Sequence, residues 1–92
     1  MVGRVECYVH SDNSSENKGG AIIKLSCDTD FAARTDEFIK FTKELAKLAY
    51  GAGKEDFISI CEIFPQIKTW FVALKAELHE NIEVLEIKVM KF

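Results

Sequence analysis

The chain has one Pro, two His and three Cys in 92 residues, and each shortage narrows what it can be. The cysteines, Cys7, Cys27 and Cys61, are odd in number and widely spaced, with no CxxC pair, so a disulfide framework is not indicated. They read as three small, buried, reduced thiols. A zinc site needs four ligands with close pair spacing, which His10 and His79 do not complete, so no metal is expected. No apolar run approaches the roughly 18 residues of a membrane span. The opening residues Met1-Val2-Gly3-Arg4-Val5-Glu6 lack the apolar segment of a signal peptide. Lys and Arg are scattered singly and the net charge is −3, unlike the basic stripe that binds nucleic acid. These absences point to a cytoplasmic protein without a membrane or nucleic-acid partner.

Catalytic patterns are equally sparse. There is no GxxxxGK[ST] loop, and Lys18-Gly19-Gly20 reads as a hairpin turn with no helix after it. A catalytic His10 would need a base, an orienter and a nucleophile gathered in a pocket, and the pattern places it on the strand face opposite the core. Glu6 and Asp12 read as solvated surface. The chain is therefore not expected to be an enzyme, and no cofactor is expected.

What is present suits one small folded domain spanning residues 1–92. Hydrophobic residues make up 48% of the chain, with seven Phe. A chain of this length buries roughly 60–65% of its unfolded surface. Residues 3–10 alternate, with Val5, Cys7 and Val9 on one face and Arg4, Glu6, Tyr8 and His10 on the other. Ser11 to Gly19 is polar and turn-rich, a long loop. Residues 20–27 alternate again, with Ala21, Ile23, Leu25 and Cys27 on one side. Two strands in this order form an antiparallel hairpin.

From Thr35 the period becomes 3.6. Thr35 suits an N-cap, and Asp36 and Glu37 suit the positive end of the helix dipole. Phe38, Phe41, Leu45, Leu48 and Ala49 form the apolar stripe, and Gly51 and Gly53 end the helix. A short helix follows around residues 55–63. Pro65 opens a third, with the stripe Ile67, Phe71, Leu74 and Leu78 and with Trp70 beside it at the core rim. Residues 82–91 read as a last strand burying Leu85, Ile87 and Val89. The expected fold is α+β: a three-stranded antiparallel sheet with about three helices on one face, in the order ββαααβ.

One segment stands apart. Between Cys27, which ends a strand, and Thr35, which caps a helix, lie Asp28, Thr29, Asp30, Phe31, Ala32, Ala33 and Arg34. A tight strand-to-helix corner can fold Phe31 inward as a core plug. It can also project Phe31 as an apolar anchor with Asp30 beside it, as interface hot spots do. Residue chemistry alone leans towards the plug.

This run resembles the elongation factor Ts signature Cys-Glu-Thr-Asp-Phe-Val-Ala-Arg followed by Glu-Phe. Cys27, Thr29, Asp30, Phe31, Ala33, Arg34, Glu37 and Phe38 match it, while Asp28 and Ala32 depart from it. Gly3 to His10, Gly19 to Leu25, and Leu78 with Glu80-Asn81-Ile82 also resemble family segments, whereas Gly51 to Lys68 does not. The resemblance covers one core subdomain, without the N-terminal helical domain, second core subdomain or helical protrusion, and the Ser11–Lys18 loop is longer than in the family. It implies a translation factor that binds elongation factor Tu, GDP-bound or nucleotide-free, and promotes guanine-nucleotide exchange during protein biosynthesis. It further implies that Phe31 is a wedge, that Asp30 is its polar partner, and that Thr29 and Arg34 shape the loop. The alternative is a binding module that keeps the fold without exchange, including a homodimer formed through a sheet edge.

Overall fold

The computed structural model describes residues 2–12 and 16–92. Part of the Ser11–Lys18 loop expected from sequence, residues 13–15, lies outside the described residues. Strand β1 (Val2–His10) pairs antiparallel with β2 (Gly19–Cys27), and β2 pairs antiparallel with β3 (Glu83–Lys91), giving the sheet order β1-β2-β3. Between β2 and β3 run α1 (Asp30–Ala33), α2 (Asp36–Ala52), α3 (Phe57–Ile63) and α4 (Pro65–Leu78). The α+β architecture matches the reading from sequence, with the one-turn helix α1 added at the corner.

Helix α2 supplies most of the helical side of the core. Thr35 caps it by accepting from the Phe38 amide at 3.3 Å, and Gly53 ends it at φ 66°, a left-handed conformation that a Cβ disfavours. Phe38, Phe41, Leu45, Ala46 and Ala49 are buried against Ala21, Ile23, Leu25 and Cys27 of β2. Thr42 is buried among them and donates its hydroxyl to the Phe38 carbonyl at 2.8 Å, which satisfies its polar group within the helix. Phe41 also meets Trp70 edge-on at 5.3 Å between ring centroids. That contact ties α4 to α2 and places Trp70 at the core rim.

Helices α3 and α4 meet at 119°. Phe64 between them is non-helical, with φ −124° and ψ 80°, because a residue before proline is pushed out of the helical region. Among the described residues no single helix is long and apolar enough to cross a membrane.

The strands correct the sequence reading in three places. The face of β1 is inverted. Tyr8, Glu6 and Arg4 pair with Ala21, Ile23 and Leu25, whose side chains are buried under the helices, so Val5, Cys7 and Val9 point outward and are exposed. Partners directly across a ladder share a face, and a one-residue change in assignment turns every side chain over. The polar face is tolerated inside because its groups pair with one another. Arg4 Nε lies 2.6 Å from Glu6 Oε2, Tyr8 Oη lies 2.7 Å from His10 Nδ1, and His10 stacks on Tyr50 at 4.8 Å. His10 is thus on the helix-covered face, contrary to its expected position.

The second correction is Cys7, which is exposed rather than buried, while Cys27 is buried and Cys61 half-buried. The third is in β3. Lys24 pairs with Glu86 and Leu25 with Val84, so Leu85 is the extra residue of a bulge and is turned out. A bulge shifts the alternation by one. Ile82 and Ile87 are therefore buried, Val84 and Val89 are half-buried, and Leu85 is not part of the core.

Candidate functional site: an exposed aromatic on a braced corner

The corner between β2 and α2 is built from backbone hydrogen bonds and two threonine hydroxyls. Thr29 is the N-cap of α1, extended at φ −134° and ψ 150°. Its Oγ1 accepts from the Ala32 amide at 3.2 Å, and its carbonyl accepts from the Ala33 amide at 3.4 Å. The turn closes when the Arg34 amide donates to the Phe31 carbonyl at 3.1 Å. The Ala32 carbonyl then receives the Thr35 amide at 3.2 Å and the Thr35 hydroxyl at 2.8 Å. Two helix caps, Thr29 and Thr35, therefore lie back to back. From β1, Arg4 Nη1 reaches the Ala33 carbonyl at 3.5 Å.

This winding decides where each side chain goes. Ala32 and Ala33 face inward at 2% and 5% exposure, while Phe31 stands out at 80%. Small residues at 32 and 33 let the turn lie close against the sheet. Phe31 is thus not the core plug that residue chemistry alone favours. Burying a phenyl ring is worth about 1.5–3 kcal/mol, and here that contribution is left unused in the isolated chain.

The remaining residues singled out from sequence surround it. Asp30, in the first turn of α1, is exposed beside Phe31. Thr29 shapes the turn through its side chain. Arg34 is exposed and closes the turn through its backbone. Behind the turn, burial pushes the Cys27 thiol above its ordinary value, and the carboxylates of Glu80, Asp28 and Asp30 push the same way. A raised thiol suits a packing role rather than a nucleophilic one.

Sequence reasoning assigned no role to Glu80. Its carboxylate receives the Asp28 and Thr29 amides at 2.9 and 3.0 Å, from a position 52 and 51 residues away in sequence. A single sequence displays no such pairing, and the only available signal was the resemblance of Glu80-Asn81-Ile82 to a family segment. Among the described residues, no cluster of three or more His, Cys, Asp or Glu side chains is placed to hold a metal ion.

Fold and corner together define an α+β domain whose distinguishing surface feature is one aromatic side chain raised on a braced turn. Its sequence relatives are elongation factor Ts proteins. The chain is 31% identical over 91 residues to elongation factor Ts of Photorhabdus laumondii subsp. laumondii, covering 97% of the chain and 31% of that protein. It is 32% identical over 74 residues to that of Bordetella petrii, covering 77% of the chain and 25% of the protein. It is 49% identical over 45 residues to that of Nautilia profundicola, covering 49% of the chain and 13% of the protein. A scan of protein-family models finds no match. The chain spans a third or less of the length of these relatives, and it is similar to a partial elongation factor Ts domain.

Proposed function

We propose that this chain binds elongation factor Tu through Phe31 and promotes release of its GDP. The observation that carries the reading is the 80% exposure of Phe31 on a turn whose neighbours Ala32 and Ala33 are buried. An aromatic held out by a fixed backbone loses little conformational freedom on docking, which favours affinity. Asp30 beside it supplies a polar contact that fixes the orientation of the ring. Together they act as a wedge on the nucleotide-binding domain of the partner. Similarity to elongation factor Ts proteins over 97% of the chain in one relative supports this choice of partner.

The mechanism is linkage. A factor that binds the nucleotide-free partner better than the GDP-bound partner must weaken GDP binding by the same ratio. No covalent bond is made or broken, so the corner needs no general acid or base. The affinity of the chain for elongation factor Tu, measured with and without GDP, tests this. Tighter binding to the nucleotide-free form is expected, and equal affinities would remove the exchange mechanism.

A second reading is a module that pairs with a second copy of itself along a sheet edge and does not drive exchange. It is favoured by β1, an outer strand whose Val5, Cys7 and Val9 are exposed. On the opposite edge, Glu55 Oε2 accepts from the Val89 amide at 2.8 Å, which occupies a group that a further strand would need. Two β1 strands pairing antiparallel would continue the sheet. Sedimentation across a range of concentrations decides it, because a strict monomer excludes the dimer.

A further inference from the structure

The α1 turn is four residues long, too short to hold its own geometry, since a first helical turn fixes several dihedrals for a single hydrogen bond. Its bracing comes from the far end of the chain. Glu80 Oε1 accepts from the Asp28 amide at 2.9 Å and the Thr29 amide at 3.0 Å, and Glu80 Oε2 accepts from the Thr29 hydroxyl at 3.3 Å. In return the Asn81 amide donates to Asp28 Oδ2 at 2.9 Å. Each segment thus presents a carboxylate to the backbone of the other.

Glu80 is itself held in place. His79 ends α4 in the left-handed conformation, φ 55° and ψ 41°. The Glu80 amide donates to the Lys75 carbonyl at 3.3 Å, and Ile82 just beyond is buried. The side chain therefore projects from a helix terminus anchored on both sides. A carboxylate suits the position because its two oxygens accept several bonds at once. The Thr29 hydroxyl donates to Glu80 while accepting from the Ala32 amide. Glu80, Thr29 and Ala32 thus form a continuous relay that ends one residue from Phe31.

We propose that Glu80 is a positioning residue for Phe31, setting the direction of the exposed ring through Thr29 without contacting the partner. The proposal rests on the reading of Phe31 as the anchor for elongation factor Tu. Without Glu80 the Asp28 and Thr29 amides turn to water, the N-cap rotamer of Thr29 loosens, and Phe31 samples directions that do not dock.

The test compares Glu80→Ala and Glu80→Gln in two readouts, amide hydrogen exchange by NMR and affinity for elongation factor Tu. Glu80→Ala is expected to speed exchange at Asp28, Thr29 and Ala32 and to weaken binding by about five- to tenfold, the scale of one or two lost hydrogen bonds. Its urea midpoint should fall, because the bonds to Asp28 and Thr29 belong to the folded chain, while the variant stays folded at the binding conditions, which separates positioning from unfolding. Glu80→Gln keeps an acceptor oxygen for the two amides and should bind within about twofold of wild type. In a Phe31→Ala background, Glu80→Ala should weaken binding no further. An equal loss in both backgrounds overturns the proposal, because Glu80 would then act independently of Phe31. Unchanged exchange at Asp28 and Thr29 in Glu80→Ala also overturns it. If Phe31→Ala alone leaves binding intact, the anchor reading fails instead, and the exchange data still decide whether Glu80 braces the turn.

Discussion

The Thr29 hydroxyl accepts the Ala32 amide at 3.2 Å, capping the turn that sends Phe31 outward and Ala32 inward. Removing it with Thr29→Ala is expected to lower stability by about 0.5–2 kcal/mol, the usual cost of deleting a helix N-cap. Thr29→Ser keeps the hydroxyl and should stay near wild type. Urea unfolding of the three proteins checks this, and identical midpoints for all three would mean that the cap contributes nothing.

Phe38 and Phe31 differ sharply in burial. Phe38 is fully buried and Phe31 is 80% exposed. Phe38→Ala should cost about 3–5 kcal/mol, the range for deleting a buried aromatic. Phe31→Ala should change stability by no more than about 0.5 kcal/mol, as surface substitutions do. A large loss of stability in Phe31→Ala would show that the ring packs inward in solution.

The thiols should react in an order set by their surroundings. Cys7 is exposed on the outer sheet face, Cys61 is half-buried and Cys27 is buried. Burial raises both the Cys61 and Cys27 thiols above their ordinary values, which lowers the thiolate fraction that attacks an alkylating reagent. Under native conditions, mass spectrometry should find Cys7 alkylated by iodoacetamide first and Cys27 last. Equal rates for Cys7 and Cys27 would contradict the assignment of strand faces.

These faces also show where the sequence was legible. The alternation of β2 and the stripe of α2 were readable because large apolar residues repeat there without competition. In β1 the sequence reading placed the wrong set on the core face. Val5, Cys7 and Val9 are the more apolar set, but Tyr8 and His10 bury their ring faces against Tyr50 while pairing their polar atoms. Residue-type hydrophobicity does not register that pairing. The bulge at Leu85 was hidden for a related reason, since it is fixed by pairing with β2 rather than by composition. At the corner, the Thr35 cap was legible, whereas the Thr29 cap emerges only with the one-turn helix α1. The direction of Phe31 was not legible, because it follows from a turn that packs Ala32 and Ala33 inward and donates hydrogen bonds to Glu80, 51 residues beyond Thr29.

Asp56 gives a pH prediction with a definite sign. It caps α3, and the Ser59 amide, donating at 2.9 Å, holds its carboxylate below the ordinary value. A carboxylate whose value is lowered on folding stabilises the folded state above its unfolded-state value. That contribution is lost as pH falls through the lowered folded-state value. Asp56→Asn, which caps without charge, should therefore flatten the acid limb of stability against pH. An unchanged acid limb in the variant would show that this cap does not titrate with folding.

The central claim is that Phe31 drives GDP from elongation factor Tu, and the rate of labelled GDP release tests it most directly. Wild-type chain should accelerate release in proportion to its concentration, and Phe31→Ala, folded and equally stable, should lose most of that acceleration. No acceleration by the wild type, or equal acceleration by Phe31→Ala, would contradict the account.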